Sequence, residues 1–267
     1  MTPKSGYRFS DKVAHREYEM NRDATGLAGA RHESFETLGS TNAETLARAR
    51  AGERGPLWIT ARRQSAGRGR RGSAWVSEPG NLYASLLLTA PSPPAAAPQL
   101  SFVAALALHD AVLTCAPGLA PRLKVKWPND LMLDGAKLAG ILIEGDSAPD
   151  FAAVIGIGVN CASHPDGTAH PATDLAAARE SVTPENLFEA LKPAFARRLA
   201  QWRSGQGFAS IRADWLARAT GLGEEIRVRL PDKELTGRFE GLDDTGRLLL
   251  AGPGGVEIIA AGDVFGL

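Results

Sequence analysis

The stretch Gln64-Ser65-Ala66-Gly67-Arg68-Gly69-Arg70-Arg71-Gly72, followed closely by Trp75, carries the residue types best suited to chemistry on an anion. From Arg62 to Gly72, eleven residues hold five arginines, three glycines and no acid. Arginine presents a rigid fork of donors that matches phosphate and carboxylate. Glycine lets the backbone turn tightly and approach a ligand. A loop of both suits wrapping a small, multiply charged anion. It is expected to be mobile without that anion, because five like charges repel and glycines hold no shape. The plainer alternatives are a solvated basic turn or a nucleic-acid patch. Further on, Lys126 and Lys137 add cations for phosphates or a carboxylate. Asn129, Asp130 and Asn160 fall at strand ends, where they serve polar recognition or a hydrated magnesium. Trp75 and Trp127 offer walls. There is no Ser-His-Asp set, no Gly-x-Ser-x-Gly and no Gly-x-x-x-x-Gly-Lys-Ser/Thr loop. The residue types point to nucleotide chemistry without a conventional phosphate loop.

The elements that must position these groups follow from the pattern. Residues 1 to about 33 are polar and mixed in charge, and read as a loosely ordered extension. Thr41 with Glu44 forms a capping box that opens a short helix running to Gly52. Leu57 to Arg62 predicts a strand that delivers the arginine loop. Asn81 to Leu88 predicts a second, with Leu82, Ala84, Leu86 and Leu88 on one face. After a loop over 91–98, Leu100 to Cys115 predicts an apolar helix ended by Pro117-Gly118. Arg122 to Trp127 alternates, with Lys124 and Lys126 on one side. Asp134-Gly135 is a hairpin signal between Leu131–Leu133 and a strand over Ala136–Glu144.

On that last strand, strict alternation puts Lys137 on one face with Ala139, Ile141 and Ile143. A charge there costs several kcal/mol unless an anion or partner meets it. Gly140 in mid-strand marks close approach of a ligand or backbone. Phe151 to Val159 predicts a strand whose Gly156 and Gly158 leave room for a flat ring. Thr183-Pro184-Glu185 opens a helix that carries Leu187, Leu191, Phe195, Leu199 and Trp202 and is expected to bend at Pro193. Phe208, Ile211 and Trp215 mark another helix. From Leu222, strands over 225–230, 234–242, 247–251 and 256–260 with Pro, Gly and Asp turns predict a small barrel, marginal alone and docked on the main domain.

The whole-chain numbers narrow the choice. At 267 residues the chain fits one large domain plus a small one. Thirty basic and thirty acidic side chains cancel, so the arginine loop is a local feature on a neutral protein. A general nucleic-acid binder more often carries a basic balance. Cys115 and Cys161 lack metal-type spacing, which points to a reducing cytosol. His164 and His170 have no Cys, Asp or Glu pattern that makes a metal site, and His109 and Cys115 are read as core or surface residues of the apolar helix with no chemical role. No stretch of about 18 apolar residues is seen, so no membrane span is expected. The N-terminus lacks the layout of a signal peptide.

Taken in order, Ser40-Thr41-Asn42, Gly67 to Gly72 with Trp75, Lys126-Trp127-Pro128-Asn129-Asp130, Lys137 to Glu144, and Gly156-Ile157-Gly158-Val159-Asn160 resemble the motif series of biotin protein ligases. The resemblance covers about residues 34 to 267. It implies an α+β fold, a mixed sheet flanked by helices and related to class II aminoacyl-tRNA synthetases, over 34–220. A small SH3-like barrel over 221–267 would follow, with residues 1–33 as the extension. It implies that biotin and ATP give biotinyl-5′-AMP and pyrophosphate, with magnesium, and that the biotinyl group then moves to a lysine on the carrier domain of a biotin-dependent carboxylase. A cytoplasmic monomer or homodimer is expected.

The resemblance also implies roles. Ser40, Thr41 and Gln64 would bond the ureido ring of biotin, with Asn42, Gly67 and Gly140 around it and Trp75 close by. Arg68 and Arg70 would clamp the biotin carboxylate and the phosphates. Arg71, Lys126, Asn129 and Asp130 would hold the nucleotide, Asp130 also its magnesium. Lys137 would contact phosphate and acyl oxygens, and Asn160 would lie near adenine and metal. The catalytic set is therefore Lys137, Arg68 and Arg70. Lipoate ligase, with the same fold and adenylate logic, is the nearest alternative, and a nucleic-acid-binding module the alternative from another class. The first 39 residues show no apolar core pattern, so neither a DNA-binding domain nor a nucleic-acid partner is expected.

Overall fold

The computed structural model describes residues 26–147, 150–168 and 171–266. The chain enters through a 3-10 turn, Gly26–Gly29, whose Leu27 is buried in the core. Strand β1 (Arg31–Leu38), helix α1 (Thr41–Arg50) and strand β2 (Leu57–Gln64) then form a parallel crossover unit, with Arg31 opposite Leu57. This corrects the reading of 1–33 as a loose extension, because residues 26–33 belong to the fold. β1 has only a weak alternation, and a parallel partner is reached only through a crossover helix, so no local signal marks it. Residues 1–25, on which the remainder of that expectation falls, lie outside the described residues.

Five more strands complete the first sheet: β3 (Leu82–Thr89), β4 (Leu123–Lys126), β5 (Asp130–Leu133), β6 (Ala136–Asp146) and β7 (Ala152–Val159). Among the described residues the order is β1-β2-β3-β7-β6-β5-β4, and every pair except β1–β2 is antiparallel. The hairpin between β5 and β6 turns on Asp134 and Gly135, both at positive φ (52° and 77°), as the Asp-Gly signal requires.

Helices α2 (Leu100–Cys115) and α3 (Pro184–Trp202) cover one face of this sheet, and α4 (Phe208–Leu216) packs against both of them. α2 has the predicted bounds, but a 3-10 turn, Pro94–Gln99, stands where a loop was expected. Together Pro94–Cys115 span 22 residues, long and apolar enough to cross a membrane by length and composition, contrary to the expectation that no such stretch exists. Its most apolar window is 72% buried inside the protein, and the segment forms the core rather than a lone apolar rod. Thr183 caps α3 by accepting from the Asn186 N–H at 3.2 Å, and the helix runs through Pro193.

The two faces of the sheet divide the labour. Leu82, Ala84, Leu86 and Leu88 of β3, with Ala153, Ile155 and Ile157 of β7, pack towards α2 and α3 in the main core. The opposite face carries Leu57, Ile59, Leu87, Ala152 and Val154, which pack on Leu46 and Ala49 of α1. Past α1, that second face holds Ser85, Gly156, Gly158 and Gly140, and is left open.

A second sheet closes the chain, with β8 (Glu225–Arg229), β9 (Glu234–Leu242), β10 (Leu248–Gly252), β11 (Gly255–Ile259) and β12 (Asp263–Gly266) in antiparallel order β11-β10-β9-β8-β12. β12 was not expected from the sequence. Ile226, Val228, Phe239, Leu242 and Leu250 join the same apolar cluster as Phe102 and Phe208. The Trp127 indole N–H donates to Gly246 O at 3.0 Å, so Trp127 pins the small unit to the large one.

Candidate active site

The open part of the sheet is a floor of three rows. One row is Tyr83–Gly158–Gly140–Asp130, the next Ser85–Gly156–Leu142, and the third Leu87–Val154–Glu144. The glycines leave room for flat groups, as predicted, but the protein's own side chains occupy it. The Asn42 amide lies over Gly156, and a Cβ there would collide with it. The Trp75 indole lies over Gly158 and Gly140, where a Cβ would stand 2.6 Å and 3.1 Å from the ring. Above and beside this floor is a cavity of about 590 Å³, inside the usual range for small-molecule sites.

One end of the cavity is polar and neutral. Ser40, rather than Thr41, is the N-cap of α1, its Oγ accepting from the Ala43 N–H at 3.4 Å. Thr41 is thereby turned to Gln64, whose Oε1 accepts from the Thr41 N–H (2.8 Å) and Oγ–H (3.1 Å). The Gln64 amide is oriented from behind by Ser77, to whose Oγ its Nε2 donates at 2.9 Å. Asn42 is buried and held by protein partners: its Nδ2 donates to Glu144 (2.9 Å) and Leu142 O (3.3 Å), and its Oδ1 accepts from Ser85 (2.6 Å). It forms wall more than free donor.

The other end is cationic, and a β-bulge makes it so. Leu131 pairs with Ala139 but Met132 with Lys137, so Leu138 is an extra residue in β6. The bulge reverses the alternation, and Lys137 leaves the face of Ala139, Ile141 and Ile143 for that of Gly140. This corrects the expected apolar setting of Lys137. Its Nζ pairs with Asp130 Oδ1 at 2.7 Å and lies 5.6 Å from the Trp75 ring centroid. Its backbone bonds to the segment around Ala172, donating to Pro171 O and accepting from Thr173 N–H. Lys126 stands nearby, its ammonium lowered from its ordinary value by burial although Asp130 opposes the shift. Asn160 is buried and donates to Thr173 O at 3.0 Å.

The arginine loop spans the cavity mouth, and its guanidinium groups reach both sides of it. Arg68 meets Glu144 at 3.2 Å, and Arg71 meets Asp263 at 2.9 Å. Arg70 lies between them, donating to Asn129 Oδ1 (3.2 Å) and Gly262 O (3.4 Å). Burial lowers the Arg70 guanidinium, with Asp263 acting in the other sense. Asn129 is fixed in turn by its Nδ2 donating to Ile141 O at 2.7 Å.

Of the sequence-predicted site residues, Ser40, Thr41, Asn42, Gln64, Arg68, Arg70, Arg71, Trp75, Lys126, Asn129, Asp130, Lys137, Gly140 and Asn160 line the cavity. Gly67 does not. It is a point of close backbone approach, where a Cβ would run into Trp75 O and Ser77 Oγ. The sequence reading missed Ser77, Tyr83, Glu144 as a partner of Arg68, and the wall formed by Arg229, Asp263, Val264 and Phe265. The last four come from β8 and β12, more than 150 residues from the arginine loop, with no local signal for their place. His164 bonds Asp174 at 2.6 Å, and no metal-binding group of three His, Cys, Asp or Glu exists among the described residues. His170 lies outside them.

Comparison with known proteins gives a consistent picture. Residues 37–160 match the model of the biotin/lipoate A/B protein ligase family, and residues 221–266 that of the biotin protein ligase C terminal domain. A biotin--[acetyl-CoA-carboxylase] ligase of Paracoccus denitrificans is 49% identical over 235 residues, covering 85% of this chain and 96% of that protein. The bifunctional ligase/repressor BirA of Bacillus subtilis is 33% identical over 214 residues, covering 77% of this chain and 65% of that one. The solved structure of a biotin protein ligase from Aquifex aeolicus in complex with biotin and ATP shares the fold, with TM-score 0.74 and 24% identity over 88% of this chain and 97% of that one. A biotin protein ligase from Leishmania major in complex with biotinyl-5-AMP aligns with TM-score 0.63 and 26% identity over 86% and 99%.

Proposed function

The chain belongs to the biotin/lipoate A/B protein ligase family, and from that premise we propose that it is an ATP-dependent biotin protein ligase. The observation that carries this reading is the two-ended cavity. Thr41 and Gln64 offer a neutral donor and acceptor set at one end, and Lys126, Lys137 and Arg70 stand at the other. That arrangement fits a small acid with a neutral polar head, held so that its carboxylate meets a nucleotide triphosphate.

In the proposed first step, a carboxylate oxygen of biotin attacks the α-phosphorus of ATP and pyrophosphate leaves. A carboxylate is a weak nucleophile, so alignment and charge neutralisation are what the protein must supply. Thr41 and Gln64 orient the ureido ring. Lys137 and Arg70 neutralise the carboxylate and α-phosphate, and Lys126 the outer phosphates. Magnesium takes few carboxylates and keeps phosphate oxygens and water. Asp130, one of two acids lining the cavity among the described residues, fits that need and would hold it, and the ion would screen the triphosphate. The glycine-arginine loop keeps water from the mixed anhydride. In the second step the amine of a carrier lysine attacks the acyl carbon and AMP leaves.

The carrier domain of a biotin-dependent carboxylase is the acceptor we assign, and the cytoplasm the setting, in keeping with free thiols at Cys115 and Cys161. Nucleic acid has no part in this reading, in keeping with thirty basic side chains balanced by thirty acidic ones. The test is to supply ATP with biotin or with lipoate and follow pyrophosphate and adenylate. Biotinyl adenylate, and biotin on a carrier lysine when the carrier is added, are expected. Lipoyl adenylate alone would overturn the choice of acid.

A further inference from the structure

We propose that Glu144 is a positioning residue that fastens the arginine loop to the substrate wall, holding Arg68 on one side and Asn42 on the other. Glu144 lies in β6 opposite Val154, on the cavity face of the sheet. Its Oε2 accepts from Asn42 Nδ2 at 2.9 Å, and Arg68 Nη2 lies 3.3 Å and 3.2 Å from its two oxygens. The three residues come from α1, the loop and β6, separated in sequence by 102 and 76 positions from Glu144. No other carboxylate among the described residues is paired with Arg68.

The two bonds differ in kind. Asn42 is 4% exposed and locked by Ser85, Leu142 O and the floor at Gly156, so its bond to Glu144 is part-buried, charge-assisted and anchored at the Asn42 end. The Arg68 side chain is 43% exposed, and an exposed pair holds its groups together only about two- to fivefold better than none. Glu144 therefore stays on the wall while Arg68 releases easily, as a hatch that opens and recloses must. This gives Arg68 a part different from a clamp on the biotin carboxylate. Arg68 fastens the loop, and Arg70, held by Asn129 at the cavity, faces the reactants.

The proposal rests on the ligase reading only where adenylate is the readout. Glu144→Gln keeps an acceptor for Asn42 but removes the charge that holds Arg68, and Glu144→Ala removes both. In ligand-free protein, a protease that does not require arginine should nick residues 67–72 of Glu144→Gln about two- to fivefold faster than wild type. Its biotinyl adenylate should leak into solution faster by a similar factor, with the KM for biotin unchanged. Glu144→Ala should add a raised KM for biotin, and adding Glu144→Gln to Arg68→Ala should change leakage no further. Slower leakage or a lower KM for ATP in Glu144→Gln would show that Glu144 merely competes with ligands for Arg68, and wild-type nicking would show that it fastens nothing; either overturns the proposal. If wild type makes no biotinyl adenylate, the ligase reading fails, and the ligand-free nicking rates still decide the role of Glu144.

Discussion

Lys137 Nζ lies 2.7 Å from Asp130 Oδ1, and the two meet on the cavity face only because Leu138 is an extra residue in β6. Without the bulge the ammonium would point into the main core beside Ile141. With it, the lysine waits in an ion pair that an arriving phosphate can replace. Lys137→Ala should lower adenylation roughly a hundredfold, the ~3 kcal/mol typical of one lost contact to developing charge. Pyrophosphate release measures the loss, and an unchanged circular dichroism spectrum assigns it to chemistry. Near-normal turnover would remove Lys137 from the reaction.

A methyl group at Gly158 meets the Trp75 ring at 2.6 Å, too close to keep, so the indole that lies on the sheet must shift. Gly158→Ala should displace Trp75 from the floor, destabilise the protein by about 1–3 kcal/mol and weaken biotin binding. Denaturant unfolding and tryptophan fluorescence report the two effects. Unshifted fluorescence would mean that Trp75 does not rest there in solution.

Asp263, from the last strand, meets Arg71 at 2.9 Å and stands 3.8 Å from Arg70. Asp263→Ala should loosen the side of the arginine loop away from Glu144. Nicking at residues 67–72 should speed up and the KM for ATP should rise, with little change in melting temperature, because the pair is half exposed and such pairs contribute about 1 kcal/mol or less. A large fall in melting temperature with unchanged nicking would make Asp263 a structural residue of the small sheet instead.

Burial lowers Lys126 from its ordinary value, so its charge is lost at a less alkaline pH than that of a solvated lysine. Bound phosphates favour the charged form. The KM for ATP should therefore rise on the alkaline side, and Lys126→Arg, which stays charged, should flatten that limb. An identical limb in both proteins would assign it to another group.

Away from the cavity, burial alone would raise the Asp110 carboxyl, but the His109 ring 3.8 Å away and the Arg198 fork at 2.7 Å outweigh it and bring it to about 2. A carboxyl lowered on folding stabilises the protein above its unfolded value near 3.8, and that contribution disappears as pH falls through about 2. That contribution is roughly 2 kcal/mol. Arg198→Met should lose part of that at neutral pH and show a shallower decline between pH 4 and 2, read from urea midpoints. Equal acid slopes in both proteins would show that the α2–α3 bridge does not set acid stability.

Composition and short-range pattern alone determined the chemistry on offer: a glycine-arginine loop, lysines near strand ends, small residues on a sheet face, and the bounds of α2 and β9. These are legible because helix period, strand alternation and turn residues act over a few positions. The tertiary structure decided which groups meet. It set Arg68 on Glu144, Arg70 on Asn129 and Arg71 on Asp263, choices among partners up to 192 residues apart that no local preference ranks. It put Trp75 and Asn42 on the glycine floor and made a strand of Asp263–Gly266. It also placed one extra residue in β6. Because side chains alternate with a period of two, that single insertion exchanges the faces of everything beyond it, so alternation read from the sequence sent Lys137 to the core and pairing with β5 sent it to the cavity.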